Sequence, residues 1–289
     1  MTTAAIIGAG ELGGAIAHAL ARRDSVSRVW LFDGAGNAAA GKALDIQQAG
    51  AIEGFTTRLD GTSDVSRLIG CDVCVVADRF GAGSPEWHGA EGFDYLARIV
   101  QTIPETPIVL AGVRQAPLLA QLVLEARVPR TRLIGSASEA LVSAVRSIVA
   151  MEARCSPSEV MLTALGTPPA GFVIPWSEAS VGGYSLERVL SQVQLTRITA
   201  RAARLWPPGP FALGQAAAEV TRAIVASARR AYSVLTVLDG EFGVRGRVGA
   251  IPVVLSTSGI VHTRVPSLST RERVELETAL TRPSAHPYE

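Results

Sequence analysis

Three glycines near the start of the chain have a spacing that suits the phosphates of a dinucleotide. Gly8, Gly10 and Gly13 lie between a run of β-forming residues and a helical pattern, in the segment IIGAGELGGAI. The first glycine permits a tight turn, the second a close approach of phosphate, and the third close helix packing, while the helix N-terminus offers unpaired N–H groups. Asp33 ends the next apolar run, where a carboxylate can bind both hydroxyls of a ribose. Because Asp33 would repel a 2′-phosphate, these residues predict NAD rather than NADP.

Other candidate ligand contacts follow predicted strand ends. Arg79 and Arg114 lie on the side where open α/β sheets bind ligands, and they either grip an anion or belong to the solvated surface. His88 lies in a loop near Glu86 and Glu91, and it is either a relocated acid or base or a solvated loop histidine. The predicted cofactor contacts are Gly8, Gly10, Glu11, Leu12, Gly13, Asp33, Ala77 and Gly112.

Cys71 and Cys74 form a C-x-x-C pair, which is a spacing found in redox and metal sites. Their segment, CDVCVVA, is also typical of a buried strand, in which side-chain alternation turns the two thiols to opposite faces. We therefore predict inert buried thiols and no metal site. Three cysteines in the whole chain are too few for a disulfide framework.

The elements that must position these residues alternate between strands and helices. Apolar runs and helical periodicity predict strand, helix and strand over 4–33, and the rhythm continues to a short strand at 132–134. Such alternation builds a parallel sheet covered by helices on both faces. Later runs, including one at 160–165 and two that flank Asp239-Gly240, predict further strands, the last two antiparallel. The prediction is an α/β fold with a doubly wound, Rossmann-type NAD-binding domain at 1–137 and an α+β substrate-type domain at 138–289.

Composition narrows the choice of partners. The 289 residues carry 27 basic and 26 acidic side chains, so no broad basic surface points to nucleic acid. The sequence has no uninterrupted apolar run of the length that spans a membrane, and no secretory leader pattern at its start. We expect a cytoplasmic protein whose partners are small molecules or other proteins.

With these segments in view, the chain resembles the malate and L-lactate dehydrogenase family. The resemblance rests on IIGAGELGGAIAHAL, on LFD followed by GKALDIQQAGAIEGF, on RLIGSASEALVSAVR, and on VLDGEFGV with GAIPVVLSTSGIV. It extends over nearly the whole length and implies the family fold and NAD as the cofactor. It also implies a homodimer or homotetramer, because GKALDIQQAGAI resembles the segment that relatives bury at a two-fold interface.

The family's catalytic residues have no counterparts at the matching positions. Members move a hydride at a 2-hydroxy or 2-oxo acid, which needs a base, a carboxylate that orients the base, and arginines that hold the substrate. The resemblance implies the base within LGTPPAG, where this chain has Thr167, Pro168 and Pro169. It implies the orienting acid at Leu141 and a substrate arginine at Ala144. The nearby Arg146 should face elsewhere.

The loop after the fourth predicted strand departs from the family as well. Gly83 and Gly89 stand where the family has arginines, and Gly112 stands where it has an asparagine. The small residues that relatives place under the nicotinamide are replaced here by Asp78, Arg79 and Phe80.

These departures leave three functional hypotheses. The favoured one is an NAD(H)-binding protein of this family without malate or lactate dehydrogenase activity. The second is an NAD-dependent oxidoreductase of the family type, acting on a 2-hydroxy or 2-oxo acid. The third is an enzyme that acts on another small substrate through Asp78, Arg79, His88 or Arg114.

Overall fold

The structure is a computed structural model that describes residues 1–83, 85–168, 171–202 and 204–281. Pro169, one of the three residues at the implied base position, lies outside the described residues. No helix in the described ranges is both long enough and apolar enough to cross a membrane.

The first half of the chain forms a parallel sheet with helices between its strands. The strands are β1 (Thr3–Ile7), β2 (Arg28–Phe32), β3 (Arg58–Thr62), β4 (Val73–Val76), β5 (Ile108–Leu110) and β6 (Leu133–Gly135). The helices are α1 (Glu11–Ala21), α2 (Gly36–Glu53), α3 (Gly89–Thr102) and α4 (Ala116–Leu124). The strands pair in parallel in the order β3-β2-β1-β4-β5-β6, which is the Rossmann order. The predicted doubly wound sheet is confirmed.

Alternation along the central strands explains why helices cover both faces. In β1, Ala4 and Ile6 belong to one apolar cluster, whereas Ala5 and Ile7 belong to another. All four residues of β4 are buried, so neither face of this strand meets water. A strand that is apolar on both faces is stable only where helices pack on each side, as they do here.

The second half adds antiparallel strands to the same sheet. Its strands are β7 (Val160–Met161), β8 (Leu165–Thr167), β9 (Gly171–Val173), β10 (Ser180–Val181), β11 (Tyr184–Ser185), β12 (Ala231–Asp239), β13 (Arg245–Ser256) and β14 (Gly259–Thr263). Its helices are α5 (Ala137–Ala153), α6 (Leu186–Val189), α7 (Gln192–Ala202), α8 (Pro210–Val225) and α9 (Thr270–Thr281). The main sheet continues from β6 through β12, β13 and β8 to β9. A single sheet therefore runs across 137/138, and the division into two domains there stays a prediction.

The strand predicted at 160–165 is wrong as a single element. The chain divides it into β7, which pairs with β10, and β8, which pairs with β13 in the main sheet. Between them, the backbone N–H of Ala164 bonds to the Ser233 hydroxyl instead of to a neighbouring strand. A continuous apolar run cannot reveal that its two ends join different sheets, because both ends are equally buried.

The two neighbouring cysteines lie on the same side of the sheet, contrary to the prediction from alternation. Cys71 precedes β4 in a turn, where alternation does not apply, and it shares an apolar cluster with Cys74. Burial, reinforced by the charge of Asp72, raises the pKa of the Cys71 thiol to about 11, and burial raises the pKa of Cys74 further. Both thiols are therefore protonated at neutral pH and poorly reactive. Within the described ranges, no group of three or more His, Cys, Asp or Glu side chains is arranged to hold a metal ion.

Candidate functional site: the nucleotide groove

The glycine turn between β1 and α1 has the geometry that its spacing predicts. Gly8 has a φ of +108°, a backbone conformation that residues other than glycine rarely adopt. A Cβ on Gly13 would collide with the carbonyl oxygen of Gly8, so only glycine lets α1 begin this close to β1. Leu12 is buried directly after the turn, and Glu11 starts the helix with an exposed side chain. The N-terminus of α1, with N–H groups that have no partner within the helix, therefore lies directly after β1. The region between this helix end, Asp33 and Asp78 is here called the groove.

The carboxylate of Asp78 lies at that helix N-terminus. Its Oδ1 accepts the N–H of Gly13 at 2.8 Å, and its Oδ2 accepts the N–H of Leu12 at 3.1 Å. A Cβ on Gly10 would overlap the same carboxylate, so the space that this glycine leaves is filled. The resemblance implied Asp78 under the nicotinamide, and the structure brings its carboxylate to the N-terminus of α1. The reason is strand order: β4 runs beside β1, so the residues after β4 face the turn after β1.

Asp33 directly follows β2 at the edge of the same groove and is already hydrogen-bonded. Its Oδ2 accepts the N–H of Ala9 at 2.8 Å and that of Phe80 at 3.0 Å, while its Oδ1 accepts the N–H of Ala35 at 2.9 Å. The side chain is almost fully buried. Because a carboxylate offers about four acceptor sites, little capacity remains for ribose hydroxyls while Phe80 holds its place.

The described residues 78–83 and 85–88, together called the groove loop, make further contacts that hold them in place. Asp78 and Glu86 form an antiparallel bridge, and the N–H of Arg79 bonds to the Pro85 carbonyl at 2.8 Å. The Arg79 guanidinium pairs with Glu91 at 2.7 Å and lies over the Trp87 ring. Arg79 thus serves as a fastening of the loop in this structure, and its predicted role as an anion grip stays a prediction. His88 is exposed at the start of α3.

The far end of the groove loop covers the end of β5. Glu86 Oε2 accepts the N–H of Arg114 at 2.9 Å, and a Cβ on Gly112 would overlap that same oxygen. Gln115 accepts the N–H of Gly112 at 2.9 Å and donates to the carbonyl of Ala77 at 3.4 Å. Two predicted cofactor contacts, Ala77 and Gly112, are therefore held by Gln115, a residue that no motif in the sequence indicates.

A dinucleotide does not fit the groove in this arrangement. The N–H groups of Leu12 and Gly13, which the fold offers to pyrophosphate, are donated to Asp78. Glu86 fills the space beside Gly112 at the opposite end. The glycine turn and Asp33 lie where the sequence predicts them, but the side chains of Asp78 and Glu86 occupy space that a dinucleotide would need.

Leu141 and Pro168, the positions implied for the orienting acid and the base, line one cavity of about 430 Å³. Trp176 and Trp206 contribute to the same lining, whereas Arg79, His88 and Arg114 do not. Leu141 is buried at the start of α5, and its side chain supplies no acceptor for an imidazole. The structure thus brings the two positions together and surrounds them mainly with apolar groups.

Arg146 faces away from that cavity, as predicted. Its guanidinium lies 3.6 Å from Glu139, and both residues line a second cavity with Arg230 and Glu219. Glu139 is buried and accepts the N–H of Ser233 at 2.9 Å. Burial raises the pKa of Glu139, although Arg146, the Ser233 N–H and Arg230 oppose that rise.

Comparison with known proteins agrees with this architecture. No protein-family model matches the chain. The malate dehydrogenase of Salinibacter ruber is 26% identical over 294 residues, covering 95% of this chain and 92% of the relative. The malate dehydrogenase of Thioalkalivibrio sulfidiphilus is 27% identical over 300 residues, covering 97% and 96%. A solved Cryptosporidium parvum lactate dehydrogenase, in complex with lactic acid and nicotinamide adenine dinucleotide, superposes with a TM-score of 0.85 at 23% identity, covering 96% of this chain and 94% of that one.

The glycine turn and the strand order define a Rossmann-type α/β protein. Over nearly its whole length, the chain is similar in sequence to proteins named malate dehydrogenase, and it has the fold of solved malate and lactate dehydrogenases.

Proposed function

We propose that this chain is an NAD(H)-binding member of the family that has no malate or lactate dehydrogenase activity. The supporting observation is the cavity shared by Leu141 and Pro168. Among its described lining residues, Glu275 is the one ionisable side chain, and it pairs with Arg271 at 2.8 Å. No group in that lining is arranged to take a hydroxyl proton while another clamps a substrate carboxylate, and both tasks are needed for this chemistry.

The proposed ligand is NAD(H) rather than NADP(H), bound to a form of the chain in which the groove loop has moved away. Asp33 supports this preference, because its charge would repel a 2′-phosphate. Relatives named malate dehydrogenase and the lactate dehydrogenase solved with the dinucleotide support the ligand itself. When bound, the dinucleotide would supply a hydride donor or acceptor. The residues of this chain would bind and orient it through Asp33 and the N-terminus of α1.

The test of the missing activity is a steady-state assay of NADH oxidation with oxaloacetate and with pyruvate. We expect no turnover above background from the native chain or from Pro168→His, because an imidazole without a carboxylate partner is fixed neither in tautomer nor in orientation. Asp78→Ala should be equally inactive, which separates a blocked groove from missing catalytic groups. The Salinibacter ruber malate dehydrogenase is the positive control.

Saturable oxidation of malate or lactate by the native chain would contradict the proposal. Turnover of a different 2-oxo acid would instead favour an oxidoreductase with relocated groups. His88→Ala then tests whether that histidine acts as its acid or base.

We also propose that the chain forms a homodimer through α2. Leu44 is 58% exposed and Ile52 is 90% exposed on this helix, so two large apolar side chains face solvent in the isolated chain. A self-complementary apolar face of this kind is what a two-fold interface buries. Light scattering should give twice the 30.2 kDa chain mass, and Ile52→Glu should shift the mass towards one chain. A native mass of one chain at micromolar concentration would refute the dimer.

A further inference from the structure

We propose that Asp78 is a built-in substitute for the ligand's pyrophosphate, an intramolecular anion that competes with the dinucleotide for the N-terminus of α1. The competition rests on the proposed NAD(H) site, and it means that the chain itself limits the access of the dinucleotide to that site. It assigns Asp78 the role of a residue that determines which anion the groove holds.

The chemistry of the contact supports a competition for the same donors. A helix N-terminus carries partial positive charge and unpaired N–H groups, which can bind a carboxylate as well as a phosphate. Asp78 takes two of these donors, and it is only 8% exposed, so both hydrogen bonds form away from bulk water. Hydrogen bonds to an ionised acceptor are about twice as strong as neutral ones. A ligand must break both before its own phosphates reach Leu12 and Gly13.

Steric fit leads to the same conclusion. The carboxylate lies where a Cβ on Gly10 would be, which is the space that the second glycine leaves open for phosphate. The N–H of Gly10 also bonds to the Asp78 carbonyl at 2.9 Å. Side chain and backbone of Asp78 therefore both lie against the glycine turn, and pyrophosphate cannot share that space with them.

The groove loop covers three parts of the site together. Besides the phosphate end, the Phe80 N–H takes an acceptor position on Asp33, and Glu86 lies against Gly112 at the far end. The groove loop thus blocks three parts of the groove: the glycine turn that would hold the phosphates, Asp33 that would hold the ribose, and the space beside Gly112. Because one loop covers all three parts, we expect them to open together. The observed affinity is then the intrinsic affinity reduced by the fraction of chains in which the loop is open.

The test is a calorimetric titration of NADH into four proteins: native, Asp78→Ala, Asp78→Asn and Asp94→Ala. We expect Asp78→Ala to bind NADH at least about tenfold more tightly than the native chain, because the open fraction rises. Asp78→Asn, which keeps an acceptor but loses the charge, should fall between them. Asp94 is exposed on α3, so Asp94→Ala makes the same change in net charge without touching the groove and should match the native chain.

A second readout needs no dinucleotide. Inorganic pyrophosphate should raise the Tm of Asp78→Ala by more than that of the native chain, since the stabilisation by a ligand grows with its affinity for the folded state. If Asp78→Ala is stabilised by pyrophosphate but does not bind NADH, the competition by Asp78 stands and the proposed NAD(H) ligand fails. If Asp78→Ala does not fold, Asp78→Asn gives the same comparison, because it nearly preserves shape.

Two results would overturn the inference. One is a native chain that binds NADH as tightly as the Asp78 variants. The other is a folded Asp78 variant that gains neither affinity for NADH nor stabilisation by pyrophosphate.

Discussion

Replacing Leu141 by aspartate, the residue type implied at this position, is expected to lower the free energy of unfolding by about 3–5 kcal/mol at pH 7. Leu141 is 1% exposed and lines the apolar cavity with Pro168. None of the described residues that line this cavity has an imidazole or guanidinium to pair with the new carboxylate, and the nearest arginine on the helix, Arg146, faces the second cavity. Urea denaturation of both proteins measures the difference.

Two matched variants separate the causes of this loss. Leu141→Asn has nearly the same shape as the aspartate without its charge, so it measures the polar and packing part of the cost. Ser147→Asp places the charge on an exposed position of the same helix, where we expect a change within about 0.5 kcal/mol. Burial raises the pKa of a carboxylate, so the deficit of Leu141→Asp should shrink as the pH falls towards about 4, while that of Leu141→Asn stays constant. A stability loss of under 1 kcal/mol for Leu141→Asp would contradict the apolar character of this cavity.

Removing the buried carboxylate of Glu139 should have the next largest effect. Glu139→Ala is expected to cost about 2–4 kcal/mol, because it leaves the Ser233 N–H without its acceptor and takes a charge partner from Arg146 and Arg230. Glu139→Gln keeps an acceptor for Ser233 and should cost much less. Glu125→Gln, an exposed position at the end of α4, is the surface control.

The stability difference between the native chain and Glu139→Gln should depend on pH. The pKa of Glu139 is raised in the folded state, so folding favours its protonated form. The native chain should therefore lose stability relative to Glu139→Gln as the pH rises above the unfolded value of 4.5 and through the raised pKa. An unchanged difference between the two proteins from pH 4 to pH 8 would contradict the burial of this group.

The sequence predicted the parts of the fold that depend on local periodicity. The apolar run of β1 and the helical pattern of α1 locate these elements, and the three glycines locate the turn between them. The order of the strands was not predicted, because it depends on which distant segments pair. The split of 160–165 between two sheets was missed, because it depends on partners distant in the chain.

The state of the site was harder to predict for the same reason. Asp78 and Gly13 are 65 positions apart, and only the pairing of β4 with β1 brings them together. A usable signal was present, since an acidic residue follows directly after the strand that neighbours the glycine turn. Predicting its exact position required the strand order and the path of the groove loop together, and periodicity contains neither.

The most direct test is a pair of crystal structures, of the native chain and of Asp78→Ala, grown with NADH at the concentration that half-saturates Asp78→Ala in solution. We expect a dinucleotide along the glycine turn of Asp78→Ala, whereas the native chain should largely keep the carboxylate of Asp78 on the N–H groups of Leu12 and Gly13. A dinucleotide bound to the native chain at the same occupancy as to Asp78→Ala would contradict the competition between Asp78 and the ligand.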